Sequence, residues 1–168
     1  LMAFGGVTID HVGVTREFPA ASMLSGLIGN ALGFERTDRL RHQALQDRLV
    51  FAARREHEPV LDLITDTQNA HLNRDDRGWT TWGDPEGRFG ASYGGPHRRL
   101  RDYHADASVT VVLRFEPQGE APDLETVASA MYRTARPLFL GRKPCLPSKP
   151  LLASEASGYR FVVASTAY

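Results

Sequence analysis

The clearest pattern of apolar positions lies in residues 22–33, where leucine, isoleucine and alanine recur at helical spacing. The apolar positions are Leu24, Leu27, Ile28, Ala31 and Leu32. Ser22 is a candidate N-cap of this helix, and Gly33 is a candidate C-terminal stop. Gly26 and Gly29 lie inside it, where each glycine costs about 1 kcal/mol relative to alanine. The sequence therefore predicts a helix whose interior glycines serve either close packing on a sheet or contact with a ligand.

The rest of the chain predicts a mixture of strands and helices. Residues 107–115 alternate between apolar and polar side chains, which predicts a strand. Asp38 is expected to cap a second short helix, and a third helix is predicted to begin at Asp123. Further strands are predicted at residues 50–55, 60–66 and 138–140, with residues 57–59 in the turn between the first two. This order predicts an α+β fold of the split βαβ kind, with helices on one face of an antiparallel sheet.

Residues 67–104 interrupt this pattern and show no sustained period. An irregular segment of this length inside a compact domain is usually functional or disordered. Its aromatic content argues against disorder, so we expect an arm that is ordered or becomes ordered on binding. The basic and aromatic residues of the arm are Arg74, Arg77, Arg88, Arg98, Arg99, Arg101, Trp79, Trp82, Phe89, Tyr93 and Tyr103.

Charge and cysteine content narrow the function classes. The 168 residues carry 20 basic and 20 acidic side chains, yet residues 126–154 contain no acid and five basic residues. The single cysteine, Cys145, excludes an internal disulfide framework and a multi-cysteine metal site. No run of apolar residues is long enough to predict a membrane span. The sequence also lacks HExxH, GxxxxGK[ST], GxGxxG and GxSxG, so it predicts no metal and no cofactor.

Two chemistries remain open at this point. Arginines interleaved with aromatic residues are typical of single-stranded nucleic-acid binding, and interface loops of protein complexes use the same residues. A metal-independent ribonuclease is the enzymatic alternative, with Tyr103, His104 and Lys143 as the candidate catalytic set. Neighbouring residues in a strand point to opposite faces, which argues against Tyr103 and His104 acting together.

Three segments resemble motifs of the CasD family, the fifth-numbered family of CRISPR-associated proteins. They are PAASMLSGLIGNALGF at residues 19–34, RDYHADASVTVVLRF at residues 101–115, and RPLFLGRKPCLPSKPLL at residues 136–152. LMAFGG at residues 1–6 is similar to the turn after the family's first strand, so that strand is expected to precede residue 1. The type I-E form of the family is the most similar, especially through the third motif.

The resemblance implies a RAMP protein with a ferredoxin-like (RRM-like) fold. Residues 1–66 and 105–150 would form that domain, residues 67–104 an inserted β-hairpin thumb, and residues 151–168 the start of a C-terminal strand or extension. It also implies a subunit of Cascade, a cytoplasmic ribonucleoprotein complex of antiviral defence that recognises target DNA through its guide. The subunit would hold the 5′ handle of the CRISPR RNA (crRNA) and contact the CasC backbone subunit and the large CasA subunit.

The resemblance further implies that a type I-E member is not an enzyme, whereas a type I-C relative cuts repeat RNA. The expected RNA-binding residues follow from joining the motifs to the chemistry of phosphate and base contacts. For the handle they are Arg16, Ser22, Ser25, Gly26, Arg142 and Lys143, and for the thumb Arg74, Arg77, Trp79, Arg98 and Arg99. A third reading, a pure protein-interaction module whose arm binds a partner subunit, also stays open.

Overall fold

The computed structural model describes residues 1–6, 11–57, 63–71 and 96–152, and the backbone of residues 154–155 and 158–159. Its elements are β1 (Val12–Gly13), α1 (Ala21–Ala31), α2 (Arg39–Arg48), β2 (Leu49–His57), β3 (Leu63–Ala70), β4 (His97–His104), β5 (Ser108–Phe115), α3 (Leu124–Tyr132), β6 (Ser154–Glu155) and β7 (Gly158–Tyr159). The predicted α+β class is confirmed. The expected turn residues 58 and 59 and most of the arm, residues 72–95, lie outside the described residues.

The main hydrophobic core lies between the helices and one face of the β2–β5 pair. These two strands are antiparallel, from Leu49 opposite Phe115 to His57 opposite Ser108. Along β5 the side chains alternate between exposed and half-buried and end at the buried Phe115, which confirms the predicted alternation. The buried core residues are Leu24, Ile28, Phe34, Leu45, Leu49, Phe115 and Val127.

A second sheet has the strand order β1-β4-β3. Strands β3 and β4 form an antiparallel hairpin, from Leu63 opposite His104 to Ala70 opposite His97. The outer strand β3 is exposed along its whole length. At the C-terminal end of β4, Met2 forms an antiparallel bridge with His104. Ala3, Tyr103 and Cys145 form a second buried cluster.

The predicted sheet arrangement is wrong in two respects. Strand β1 runs parallel to β4, and β2 and β3 lie in different sheets rather than side by side in one antiparallel sheet. The strand predicted at residues 138–140 does not form. Leu140 accepts a hydrogen bond from Ala3 N and donates one to Cys145 O, so the chain turns here instead of running along a partner strand.

Helix ends agree with the sequence at three of four predicted signals. Asp38 is the N-cap of α2 as expected, although its side chain accepts from Glu35 N at 3.0 Å and makes no capping hydrogen bond to the helix. Gly33, at φ 80°, follows the C-cap of α1 as expected. Asp123 caps α3, because its Oδ1 accepts a hydrogen bond from Thr126 N at 2.7 Å. The cap predicted at Ser22 is wrong: Ala20 is the N-cap, its carbonyl accepts from Met23 N and Leu24 N, and Ser22 lies inside the first turn. Within the described chain, no helix is long and apolar enough to cross a membrane.

Candidate nucleic-acid interface

A groove of about 1120 Å³ runs along α1, and we call it the α1 groove. Its lining comes from the N-terminal segment, α1, the turn leading into α2, α2 itself and the segment after α3. Among its lining residues are Ser22, Ser25, Gly26, Arg36, Arg39 and Arg142. Four of the six residues that sequence reasoning assigned to the RNA handle therefore meet in one groove.

Helix α1 presents small and hydroxyl residues to the groove. Ser22 is exposed, whereas Ser25 is buried and its Oγ contacts Ser22 O and Gln46 Oε1, each at 3.3 Å. Nothing lies within 4 Å of the position that a Cβ would take at Gly26. At Gly29 the same position is 2.8 Å from His42 Cε1. The two glycines therefore have different structural roles. The absence of a side chain at Gly29 makes room for the His42 ring, whereas at Gly26 it leaves open space in the groove.

The turn into α2 and the first residue of α2 supply cations that sequence reasoning missed. Arg36 and Arg39 are exposed, and neither forms an ion pair in the described part of the chain. Arg136, also in the groove, is different, since its guanidinium donates to Glu35 Oε1 and to Phe34 O. No motif in the sequence marks Arg36 or Arg39, and their place in the groove follows only from the fold, in which α2 buries no side chains except Leu45 and Arg48.

Arg142 connects the groove to the β1-β4-β3 sheet. Its Nη1 donates to Asp102 O at 2.9 Å, and its Nη2 donates to Gly13 O at 2.8 Å. Its Cζ lies 5.1 Å from the centre of the Tyr103 ring. Because the guanidinium is half-buried and bound to carbonyls of two strands, Arg142 has a structural role whatever it binds.

The remaining predicted handle residues, Arg16 and Lys143, are exposed and lie outside the residues that line the groove. Arg16 packs its side chain over Gly6, where a Cβ would be 2.9 Å from Arg16 Nε. Of the predicted thumb residues, Arg98 is exposed and Arg99 half-buried, both on β4. The others, Arg74, Arg77 and Trp79, lie outside the described residues.

Tyr103 and His104, the candidate catalytic residues, are 4% and 3% exposed. Both residues are buried although neighbouring strand residues point to opposite faces, because both faces of the end of β4 are covered. Ala3 and Cys145 pack on Tyr103, and the Phe4 ring lies 5.6 Å from the His104 ring. His104 Nε2 donates to Arg16 O at 2.8 Å, so this nitrogen carries a proton and is committed to the backbone. Such a pair has no access to an RNA 2′-hydroxyl.

Cys145 is completely buried, and burial raises the pKa of its thiol. A raised pKa leaves less thiolate at any given pH, and thiolate is the reactive form. We expect a thiol reagent at pH 8 to label native Cys145 at least about 100-fold more slowly than the urea-unfolded chain, because labelling requires local opening. Comparable rates in the two states would contradict this packing.

Among the residues described, no group of three or more His, Cys, Asp or Glu side chains is placed to hold a metal.

These features define a class of protein: an α+β domain whose arginine-bearing groove adjoins a basic β-hairpin. The chain belongs to the CRISPR-associated protein family (Cas_Cas5), because the family model matches residues 1–167. The resemblance found in the three motifs is thereby confirmed.

Two comparisons support this assignment. The chain is 30% identical over 155 residues to the "CRISPR system Cascade subunit CasD" of Escherichia coli (strain K12), covering 90% of this chain and 65% of that protein. It also superposes, with a TM-score of 0.65 and 22% identity, on a chain of a "CRISPR RNA-guided surveillance complex". That match covers 89% of this chain and 57% of the other, and it establishes the similarity of the fold.

Proposed function

We propose that the chain is a non-catalytic RNA-binding subunit of a Cascade-type surveillance complex, and that the α1 groove holds the 5′ handle of the crRNA. The observation that carries this proposal is the convergence of Ser22, Ser25, Gly26 and Arg142 on one groove that also contains Arg36 and Arg39, which form no ion pair with any described residue. The similarity to a Cascade subunit supplies the biological setting.

The groove has the chemistry that a single-stranded RNA end requires. Arg36 and Arg39 offer planar donors for phosphate oxygens, and neither has to break an ion pair with a residue that the structure describes. Asn30, Gln43 and Gln46 also line the groove. Each side-chain amide already makes one internal hydrogen bond, and its remaining donor or acceptor capacity suits a base edge. Open space above Gly26 allows a backbone or base to approach the helix closely.

The wider assembly follows from the same proposal. The β3–β4 hairpin is the base of the thumb that contacts the guide, and pairing with that guide recognises target DNA. CasC and CasA are the expected protein partners, in a cytoplasmic type I-E complex of antiviral defence. The ferredoxin-like arrangement belongs to this proposal too, supported by an antiparallel β2–β5 pair with helices packed on one face.

The alternative, a repeat-processing endoribonuclease, is not favoured. Its candidate residues Tyr103 and His104 are buried, and the His104 Nε2 proton is held by the Arg16 carbonyl. A general base must reach the attacking hydroxyl directly or through one water. The burial of this pair supports the non-catalytic form of the proposal.

The test uses the full chain and labelled repeat RNA without metal, with binding and cleavage both scored over a range of salt concentrations. We expect salt-sensitive binding and intact RNA. The Arg36→Gln/Arg39→Gln variant should bind about tenfold more weakly, and the slope of log affinity against log salt should fall by about 1.4, the value for two phosphate contacts on a single strand.

The matched control is Arg54→Gln/Arg114→Gln, which removes the same charge from exposed positions of β2 and β5 outside the groove. It should bind RNA like the unsubstituted chain. An equal loss in both variants would show that the effect is net charge rather than the groove. A single specific cut in the RNA, lost in His104→Ala, would overturn the non-catalytic assignment.

A further inference from the structure

Arg48 is a buried arginine that the proposed RNA-binding function does not use. It is the last residue of α2 and is 8% exposed. Burying a charged side chain is costly unless hydrogen bonds replace the water that it loses. The partners of its guanidinium group therefore indicate which parts of the fold this residue holds together.

The loop between β5 and α3 wraps around the Arg48 guanidinium group. Nη1 donates to Ala121 O at 3.0 Å and to Pro122 O at 3.4 Å. Nη2 donates to Glu120 O at 2.7 Å and to Pro117 O at 3.2 Å. We call these four carbonyl groups the guanidinium cage. They face a planar group whose donors form a rigid fork, so the loop is shaped around that fork.

The cage holds the charge through carbonyl groups more than through a carboxylate. Glu120 Oε2 lies 3.7 Å from Arg48 Nε, but the Glu120 side chain is 61% exposed, so water screens this ion pair. Arg48 Cζ also lies 5.3 Å from the centre of the Phe115 ring, within the range of a cation–π contact. A lysine would carry the same charge on one compact ammonium group, which lacks the planar fork. The cage is therefore specific for the shape of a guanidinium group.

The cage joins two elements that position the α1 groove. Arg48 ends α2, whose residues line the groove, and the cage leads directly into Asp123, the N-cap of α3. The segment after α3 lines the groove as well, and α1 packs against both α2 and α3. The backbone fixes the same junction, because Arg48 O accepts a hydrogen bond from Glu116 N at 2.9 Å.

We propose that Arg48 is a positioning residue: by filling the guanidinium cage it holds the end of α2 against the start of α3 and so sets the shape of the α1 groove. Arg48 itself is not among the residues that line the groove. The positioning role does not depend on what the groove binds, and only its effect on RNA rests on the proposed function. A free guanidinium compound should replace the side chain, and ethylguanidinium contains the atoms that Arg48→Ala removes.

The first arm of the test measures the arrangement of the helices without RNA. Spin labels on Ala44→Cys and Ser129→Cys, exposed positions of α2 and α3, report the distance between the helices by pulsed electron spin resonance. The buried Cys145 stays unlabelled. We expect one narrow distance distribution, which both Arg48→Ala and Arg48→Lys should broaden. Ethylguanidinium should restore the narrow distribution in Arg48→Ala and not in Arg48→Lys, because the lysine side chain still occupies the site.

Thermal midpoints provide the control for folding. Ethylguanidinium at about ten times its dissociation constant should raise the midpoint of Arg48→Ala by about 3 °C. It should not raise the midpoint of Arg54→Ala, which lacks an exposed arginine of β2, because guanidinium compounds otherwise weaken folding. An unchanged distance distribution in both Arg48 variants, or an equal response of the two alanine variants to ethylguanidinium, would overturn the inference.

RNA binding separates this inference from the proposed function. Arg48→Ala should bind repeat RNA about fivefold more weakly in sodium chloride, and ethylguanidinium chloride of equal ionic strength should restore the affinity. If the distances respond as expected and RNA binding does not change, the positioning role stands, whereas the α1 groove as the RNA site is rejected. If RNA binding weakens in Arg48→Ala and the distances stay unchanged, the positioning role is rejected.

Discussion

Replacing Gly141 with alanine should destabilise the chain by about 3 kcal/mol, the sum of backbone strain and an overpacked core. Gly141 has φ 94°, a conformation that side chains with a Cβ rarely adopt. The alanine Cβ would also lie 1.8 Å from Ala3 O, a backbone atom that cannot rotate away. Ala3 itself is 1% exposed and belongs to the buried cluster with Tyr103 and Cys145. The clash therefore forces apart the N-terminal segment and the segment that carries Arg142.

Gly119→Ala is the matched control for Gly141→Ala. Gly119 has a similar φ, 86°, but nothing lies within 4 Å of the position of its Cβ. Gly119→Ala should lose only about 1 kcal/mol of stability, which is the cost of the backbone strain. Urea unfolding, monitored by circular dichroism, gives the free energy of unfolding of both variants. Equal losses in the two variants would contradict the close approach of Gly141 to Ala3 O, because only backbone strain would then contribute.

Local elements were predictable from the sequence because their signals are local. Helix α3 has an Asp cap and an apolar face within ten residues, and Asp123 does accept from Thr126 N. Strand β5 alternates over its full length. Residues 138–140 are equally apolar and yet form no strand, because they have no partner ladder and the turn at Gly141 follows at once. A short apolar run does not reveal whether a partner strand exists.

Strand pairing was not predictable, because it depends on contacts far apart in the chain. Strands β2 and β3 are consecutive in sequence, which favours adjacency, but β2 pairs with β5 and β3 with β4. The alternation on each strand defines which face is buried and not which neighbour lies beside it. The parallel contact of β1 involves only Val12 and Gly13, too short a segment to leave a pattern.

The candidate site was predictable where motifs marked it. Ser22, Ser25, Gly26 and Arg142 come from two motifs more than a hundred residues apart, and the fold brings them to one groove. Arg36 and Arg39 belong to no motif, so only their position on the folded surface identifies them. Arg142 illustrates a further limit: sequence indicates a cation there but not that its guanidinium binds two strand carbonyls.

The two glycines inside α1 should respond to alanine in opposite directions. Gly26→Ala should stabilise the fold by about 1 kcal/mol, since alanine favours a helix and the added methyl meets nothing. Gly29→Ala should destabilise it by about 1 kcal/mol, because the methyl would come 2.8 Å from His42 Cε1 and the cost of overpacking exceeds the gain in helix propensity. The His42 ring cannot move freely, as its Nε2 donates to Glu35 O and it packs edge-on against Phe34.

RNA binding separates stability from function at Gly26. If RNA approaches α1 at this open position, Gly26→Ala should weaken binding about tenfold, equivalent to about 1.4 kcal/mol, although the variant is more stable. Unfolding in urea and RNA titration at one salt concentration measure the two effects on the same protein. Loss of binding cannot then be attributed to unfolding, which is the usual ambiguity of a site variant. A Gly26→Ala protein that is more stable and binds RNA normally would show that the open space above Gly26 is not where RNA lies.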